Sequence, residues 1–81
     1  MPTLEQIREK VKARFESDPN VHANVSLARP RLHLENDPAV IKGVYPNVFR
    51  LEEYSKGKPT VHTLQYSDIL IKRVVIIEIA D

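Results

Sequence analysis

Between Ile41 and Leu70 the chain reads Ile-Lys-Gly-Val-Tyr-Pro-Asn-Val-Phe-Arg-Leu, then a polar loop containing Gly57 and Pro59, then Val-His-Thr-Leu-Gln-Tyr-Ser-Asp-Ile-Leu. Gly43 is one of only two glycines in 81 residues and sits inside an apolar run. A glycine in a strand interior marks a sharp bend or a close backbone approach, not a flat sheet. Pro46-Asn47 interrupts pairing directly after Tyr45, and Val48-Phe49-Arg50-Leu51 resumes it with Phe49 and Leu51 on one face. Two strongly bent strands joined by a tight turn are the heart of a small β-barrel.

The flanking segments agree with this. Val21, Ala23, Val25 and Leu27 alternate with His22, Asn24 and Ser26, the pattern of a half-buried antiparallel strand. Leu32 and Leu34 follow with opposite parity, which predicts a turn or bulge at Arg29-Pro30. Asn36-Asp37-Pro38 predicts a further turn, because Asn and Asp bond their own backbone and proline sets φ. Thr60 to Tyr66 reads as the next strand, Ser67-Asp68 as the start of one 3₁₀ turn, and Ile71 to Ile79 as a long, almost continuously apolar closing strand. The expected class is therefore mainly β: an N-terminal helix followed by a five- to six-stranded SH3-like or Sm-like small barrel.

The helix has a readable start. Thr3 stands three residues before Gln6, the spacing of a capping box in which each side chain satisfies the other's backbone amide. Leu4, Ile7, Val11 and Phe15 fall on one stripe at helical spacing, and Ser17-Asp18-Pro19 ends the element. Arg8, Lys10, Lys12 and Arg14 lie off the stripe. They form either a solvated face paired with Glu5 and Glu9 or a basic surface for a phosphate or an acidic partner.

At this length one domain is expected over residues 1–81, with the helix at 3–17 and the barrel at 21–79. Twelve Lys and Arg against eleven Asp and Glu give a net charge of +1, so any electrostatic binding has to come from a local patch. The chain has no cysteine, which removes disulfides and thiolate metal sites. No apolar run approaches the ~20 residues that span a bilayer, and the charged N-terminus lacks a signal peptide's apolar stretch. The expected location is the cytoplasm, with no membrane contact.

Chemistry is sparse. His22, His33 and His62 share no ligand spacing and fall at the polar phase of strands, so they read as surface histidines, with no metal and no cofactor expected. Ser67-Asp68 has no histidine that sequence can connect to it. Tyr45, Phe49 and Tyr66 supply the volume a small barrel core needs, or they stack bases. No glycine-rich phosphate loop occurs, and the expectation is no enzyme. One patch stands out: Arg29, Arg31 and His33 project from one side of an extended segment, with Lys42 placed on the neighbouring strand. Such a row could track a phosphate backbone, grip an acidic protein surface, or keep an exposed strand soluble.

Tyr45-Pro-Asn-Val-Phe49 and Tyr66-Ser-Asp-Ile-Leu70 resemble the Tyr-Pro-x-Val-Phe and Tyr-x-Asp-[Ile/Val]-Leu signatures of the Veg family, short proteins of Gram-positive bacteria. The helix start Thr3-Leu4-x-x-Ile7 and the strand Asn24-Val-Ser-Leu27 resemble that family's opening. Where Veg proteins carry a segment rich in glycine and basic residues, this chain has Ala28-Arg29-Pro30-Arg31. The resemblance implies an SH3-like barrel that stimulates biofilm formation through gene regulation, binding a protein partner such as a transcriptional regulator. An Sm-like RNA- or DNA-binding barrel using Arg29 and Arg31 is the alternative. The apolar run Val74 to Ile79, or the helix face of Leu4, Ile7 and Val11, leads to the expectation of a homodimer.

Overall fold

The computed structural model describes residues 2–28 and 31–80. Helix α1 runs Leu4–Ser17, and the capping box forms as the spacing predicts. The Gln6 N–H donates to Thr3 Oγ1 at 3.1 Å, and the Thr3 N–H donates to Gln6 Oε1 at 2.9 Å. A 14-residue helix is marginal in water by itself, so burial of its stripe decides whether it forms. Ile7 and Val11 are buried, each contributing about 1.5–3 kcal/mol, and Phe15 packs at the edge of the core. Leu4, on the same stripe, stays half exposed at 49%. At the other end the Asp18 carboxylate accepts from the backbone and side-chain amides of Asn20, which holds its pKa below the usual range.

Five antiparallel strands follow: β1 (Asn20–Ala28), β2 (Arg31–Val44), β3 (Val48–Glu53), β4 (Thr60–Gln65) and β5 (Val74–Ile76). They are ordered β4-β3-β2-β1-β5 in one sheet. Helix α2 (Tyr66–Leu70) spans from one edge strand toward the other, and a 3₁₀ turn, Ile77–Ile79, closes the chain. The sheet curls around a core of Phe49, Leu51, Leu34, Ile41, Leu64, Val25 and Ile76, with α1 packed over it. The mainly β architecture with an N-terminal helix is as the sequence predicts.

Two bulges do the bending, and both lie on β2. Gly43 marks one: Ile41 pairs with Leu51 and Gly43 with Arg50, leaving Lys42 as the extra residue. The glycine makes room for the Tyr45 ring. A Cβ there would sit 2.8 Å from Tyr45 Oη and 2.9 Å from Cε2, so the bare backbone lets the Tyr45 ring lie across it. The other bulge corrects the expectation of a turn at Asn36-Asp37-Pro38. Those residues are inside the strand, where Ala23 pairs with Asp37 but Val25 pairs with Leu34. Asn36 takes φ +50, a conformation that asparagine tolerates better than most residues. Its N–H donates to Asn24 Oδ1 at 2.8 Å, and the Glu35 N–H donates to Asp37 Oδ2 at 3.0 Å. The Asx side chains thus satisfy their neighbourhood's backbone as they would in a turn, without reversing the chain.

The turn or bulge placed at Arg29-Pro30 falls on residues outside the described ones, flanked by Ala28 and Arg31, which pair with each other; the register shift among the described residues lies opposite Asn24. Two further expectations are corrected. The strand after the loop ends at Gln65, and Tyr66 opens a five-residue α-helix in place of a 3₁₀ turn. The long closing strand is three residues only. Val74 and Ile76 point into the core, Lys72 takes φ +63 before them, and Glu78 after them is drawn across to His22.

Candidate functional site

Of the described members of the expected basic row, Lys42 alone lies elsewhere than the sequence reading placed it. Arg29 lies outside the described residues. Arg31 and His33 are exposed at the start of β2, but His33 Nε2 is 3.0 Å from Glu35 Oε1, so the next outward residue brings a carboxylate into the row. Lys42 is exposed at the far end of the same strand, beyond the Asn36 bulge, and not on a neighbouring one.

What the fold brings together are the segments that carry the family resemblance. The Tyr66 hydroxyl donates to the Tyr45 carbonyl at 2.6 Å. The Phe49 and Tyr66 rings stack with centroids 5.5 Å apart and planes at 24°. Both rings are in the core, as expected. Burial pushes the Tyr66 hydroxyl pKa up against the pull of the Arg8 charge, which keeps it a neutral donor. Tyr45 departs from expectation: it is 46% exposed, with its ring over Gly43 and the Arg50 Cζ 5.9 Å from the ring centroid. Anchored by these contacts, the Pro46–Val48 turn, the β4–α2 junction Gln65–Ser67 and the first turn of α1 enclose an open cleft of about 570 Å³. Leu4, Glu5, Arg8, Asn47, Gln65 and Ser67 line it. These residues were missed as a site because each belongs to a short motif that reads as structural.

The cleft mixes apolar and polar groups, its charged side chains being Glu5 and Arg8 of α1. Ser67 Oγ donates to Gln65 Oε1 at 3.1 Å, and the Arg8–Glu9 contact is a loose 4.0 Å surface pair. Among the described residues no group of three or more His, Cys, Asp or Glu could hold a metal ion.

A second cluster was also missed. Glu53 is 1% exposed and accepts from the Ser55 N–H at 2.8 Å, from the Ser55 hydroxyl, and from His62 Nε2 at 3.2 Å. Burial raises the Glu53 pKa, and the bonds from Ser55 and His62 more than offset that, leaving it below the usual range. His62 is accordingly not a plain surface histidine, its side chain being 16% exposed. The Ser55 hydroxyl donates to the carboxylate and not to the imidazole, so the three groups tie down the β3–β4 loop and make no nucleophile.

Fold and cleft define a small, curved antiparallel β protein with an N-terminal helix. No helix among the described residues is long and apolar enough to cross a membrane. The chain belongs to the Veg family: the family model for the biofilm formation stimulator VEG matches residues 2–77. No curated protein matches the chain. The family description assigns a regulatory role, with no chemistry attached.

Proposed function

We propose that the chain is a non-enzymatic cytoplasmic module that influences gene expression and biofilm formation by binding a protein partner, a transcriptional regulator, in the cleft between α1 and the Pro46–Val48 turn. The observation that carries this reading is the convergence there of three segments distant in sequence, in a cleft whose lining includes the half-exposed Leu4. Apolar Leu4, Pro46 and Val48 beside polar Asn47, Gln65 and Ser67 give the cleft the mixed apolar and polar composition of a protein-binding surface. The Arg29/Arg31 row is the competing surface, for RNA or DNA, and the Glu35 partner of His33 weakens it by placing negative charge where a phosphate would lie.

Self-association belongs to the same proposal. Ile71 and Ile77, flanking β5, are 56% and 41% exposed and suit burial against a second copy. Light scattering at high concentration would show a dimer, and a strict monomer would count against it. For the partner, affinity capture is compared between the wild-type chain and Arg8→Glu, with the ultraviolet absorbance ratio of the purified protein read beside it. A regulator retained by wild type and lost by Arg8→Glu supports the reading. Protein that carries nucleic acid, released by Arg31→Ala, would replace it.

A further inference from the structure

The outer edge of β4 carries hydrogen-bonding groups that the fold leaves unused. β4 is the last strand of the sheet, with β3 as its strand neighbour, while β5 at the opposite edge is three residues long. Exposed edges are commonly protected by charged residues or proline, and β4, Thr-Val-His-Thr-Leu-Gln, contains no Lys, Arg, Asp, Glu or Pro. Val61 is 48% exposed, and Thr63 is exposed on the same face.

One bond sets which groups are free. The Tyr45 N–H donates to the Val48 carbonyl at 2.9 Å, so the backbone polar groups of Val48 face β2. Alternation along β3 turns those of Phe49, Leu51 and Glu53 toward β4, where they meet Leu64, His62 and Thr60 in an unbroken register. Val61 and Thr63, lying between, therefore aim their N–H and C=O groups away from β3. Among the described residues, no backbone hydrogen bond beyond the strand ladders and helices reaches either of them. Gln65 has the same parity, but as the N-cap of α2 it turns its carbonyl into that helix.

We propose that two copies of the chain join at this edge, β4 antiparallel to β4 about a two-fold axis at His62, with Val61 of each copy opposite Thr63 of the other. Each such pair exchanges both of its N–H···O=C bonds. The His62 rings meet at the axis, each held back by its own Glu53 carboxylate at 3.2 Å. Pro59, which has no N–H, ends the ladder opposite Gln65. Charge selects a second copy as the occupant and fixes the register. Outward on β3, Glu52 stands beside Val61 and Arg50 beside Thr63. Each row across the seam then reads Glu52, Val61, Thr63, Arg50, with opposite charges at its two ends, about 14 Å apart along the sheet. Moving the axis to Thr63 would put Arg50 at both ends of one row. An isologous contact of this kind closes at two copies. It uses the other edge of the sheet from Ile71 and Ile77, which flank β5, and Gln65, which lines the partner cleft, falls beyond the paired residues. The inference is therefore independent of both.

Sedimentation velocity of the full chain carrying Ile71→Asp with Ile77→Asp, both at exposed positions, isolates this contact. That chain is expected to dimerise with a dissociation constant of roughly 10–100 μM, since a six-residue edge buries less than a stable dimer's interface does. Thr63→Pro in the same background removes an N–H that faces outward, so the melting temperature holds while the dimer is lost. Arg50→Glu puts like charges at the two ends of each row and is expected to weaken the dimer roughly fivefold at low ionic strength. Arg50→Glu with Glu52→Arg restores the opposite charges and the affinity. The charge exchange decides by itself if the proline variant does not fold. A background chain that stays monomeric at millimolar concentration, a dimer that survives Thr63→Pro, or a charge exchange that fails to restore pairing would each overturn the proposal. So would a monomeric chain that loses its captured regulator on Thr63→Pro, which would assign the edge to that partner.

Discussion

Glu53 is the one charged side chain in the core among the described residues, and its removal gives a worked prediction. Glu53→Ala deletes the acceptor of three hydrogen bonds and leaves a cavity on the buried face of β3 that Leu51 shares. Bonds to a charged group are worth about 1.5–3 kcal/mol each, and the buried carboxylate's desolvation cost disappears with it. Ser55 is exposed and His62 is partly so, which lets water recover part of what is lost. The net is about 3 kcal/mol, and at 4–8 °C per kcal/mol for a domain of this size the melting temperature falls by about 12–24 °C. Glu53→Gln keeps an acceptor for the Ser55 N–H and loses the charge that strengthens the bonds, so it costs about 1 kcal/mol. The pH dependence has a definite sign. The folded pKa is depressed, so the unfolded chain takes up the proton more readily; the stabilisation is complete above the ordinary glutamate value of 4.5 and is lost as pH falls through the folded pKa. Calorimetric melts from neutral to acid pH should therefore show the gap between wild type and Glu53→Gln narrowing on acidification. A Glu53→Ala melting temperature matching wild type, or parallel wild-type and Glu53→Gln curves, would refute the reasoning.

Other perturbations test other contacts. Tyr66→Phe strands the Tyr45 carbonyl and is expected to cost about 1–1.5 kcal/mol, read as a lower denaturation midpoint with an unchanged m-value. Gly43→Ala puts a methyl group against the Tyr45 ring, which is exposed and can swing away; stability should change by less than about 1 kcal/mol while the ring-current shifts on Arg50 disappear from the proton spectrum. Glu78→Gln weakens the two 2.7 Å bonds that carry His22 N–H and Nδ1, and amide exchange at His22 should accelerate roughly tenfold. Burial raises the Glu78 pKa, and His22 lowers it by more, so this clamp too fades as pH falls.

Much of the fold was legible because its determinants are local. Thr3 and Gln6 announce the helix start within three residues, the alternation from Val21 to Leu27 announces β1, and Gly43 marks a bend. The misreadings arise where a local signal has two structural outcomes or where the decisive contact is remote. Asn36 and Asp37 satisfy backbone groups equally well in a turn or a bulge, and only pairing with β1 selects the bulge. The apolar run from Ile71 carries no period, and its shape is set by the core taking Val74 and Ile76 and by a Glu78–His22 contact 56 residues apart in sequence. The cleft was invisible for the same reason, since its walls come from residues 4–8, 46–48 and 65–67 and meet only when the sheet curls. The basic row, by contrast, was visible, but the electrostatic partner of His33 two residues further on was not weighed.

The central claim, that regulatory function resides in the cleft and not in the basic row, is tested most directly by biofilm mass in cells lacking the native gene. These are complemented at equal protein levels with wild type, Leu4→Asp with Arg8→Glu, or Arg31→Ala with His33→Ala. Both pairs change exposed or half-exposed side chains, so the fold should survive in each. The account predicts that the cleft pair falls to the level of the empty strain while the Arg31/His33 pair matches wild type. Full activity in the cleft pair, with loss in the Arg31/His33 pair, would contradict it.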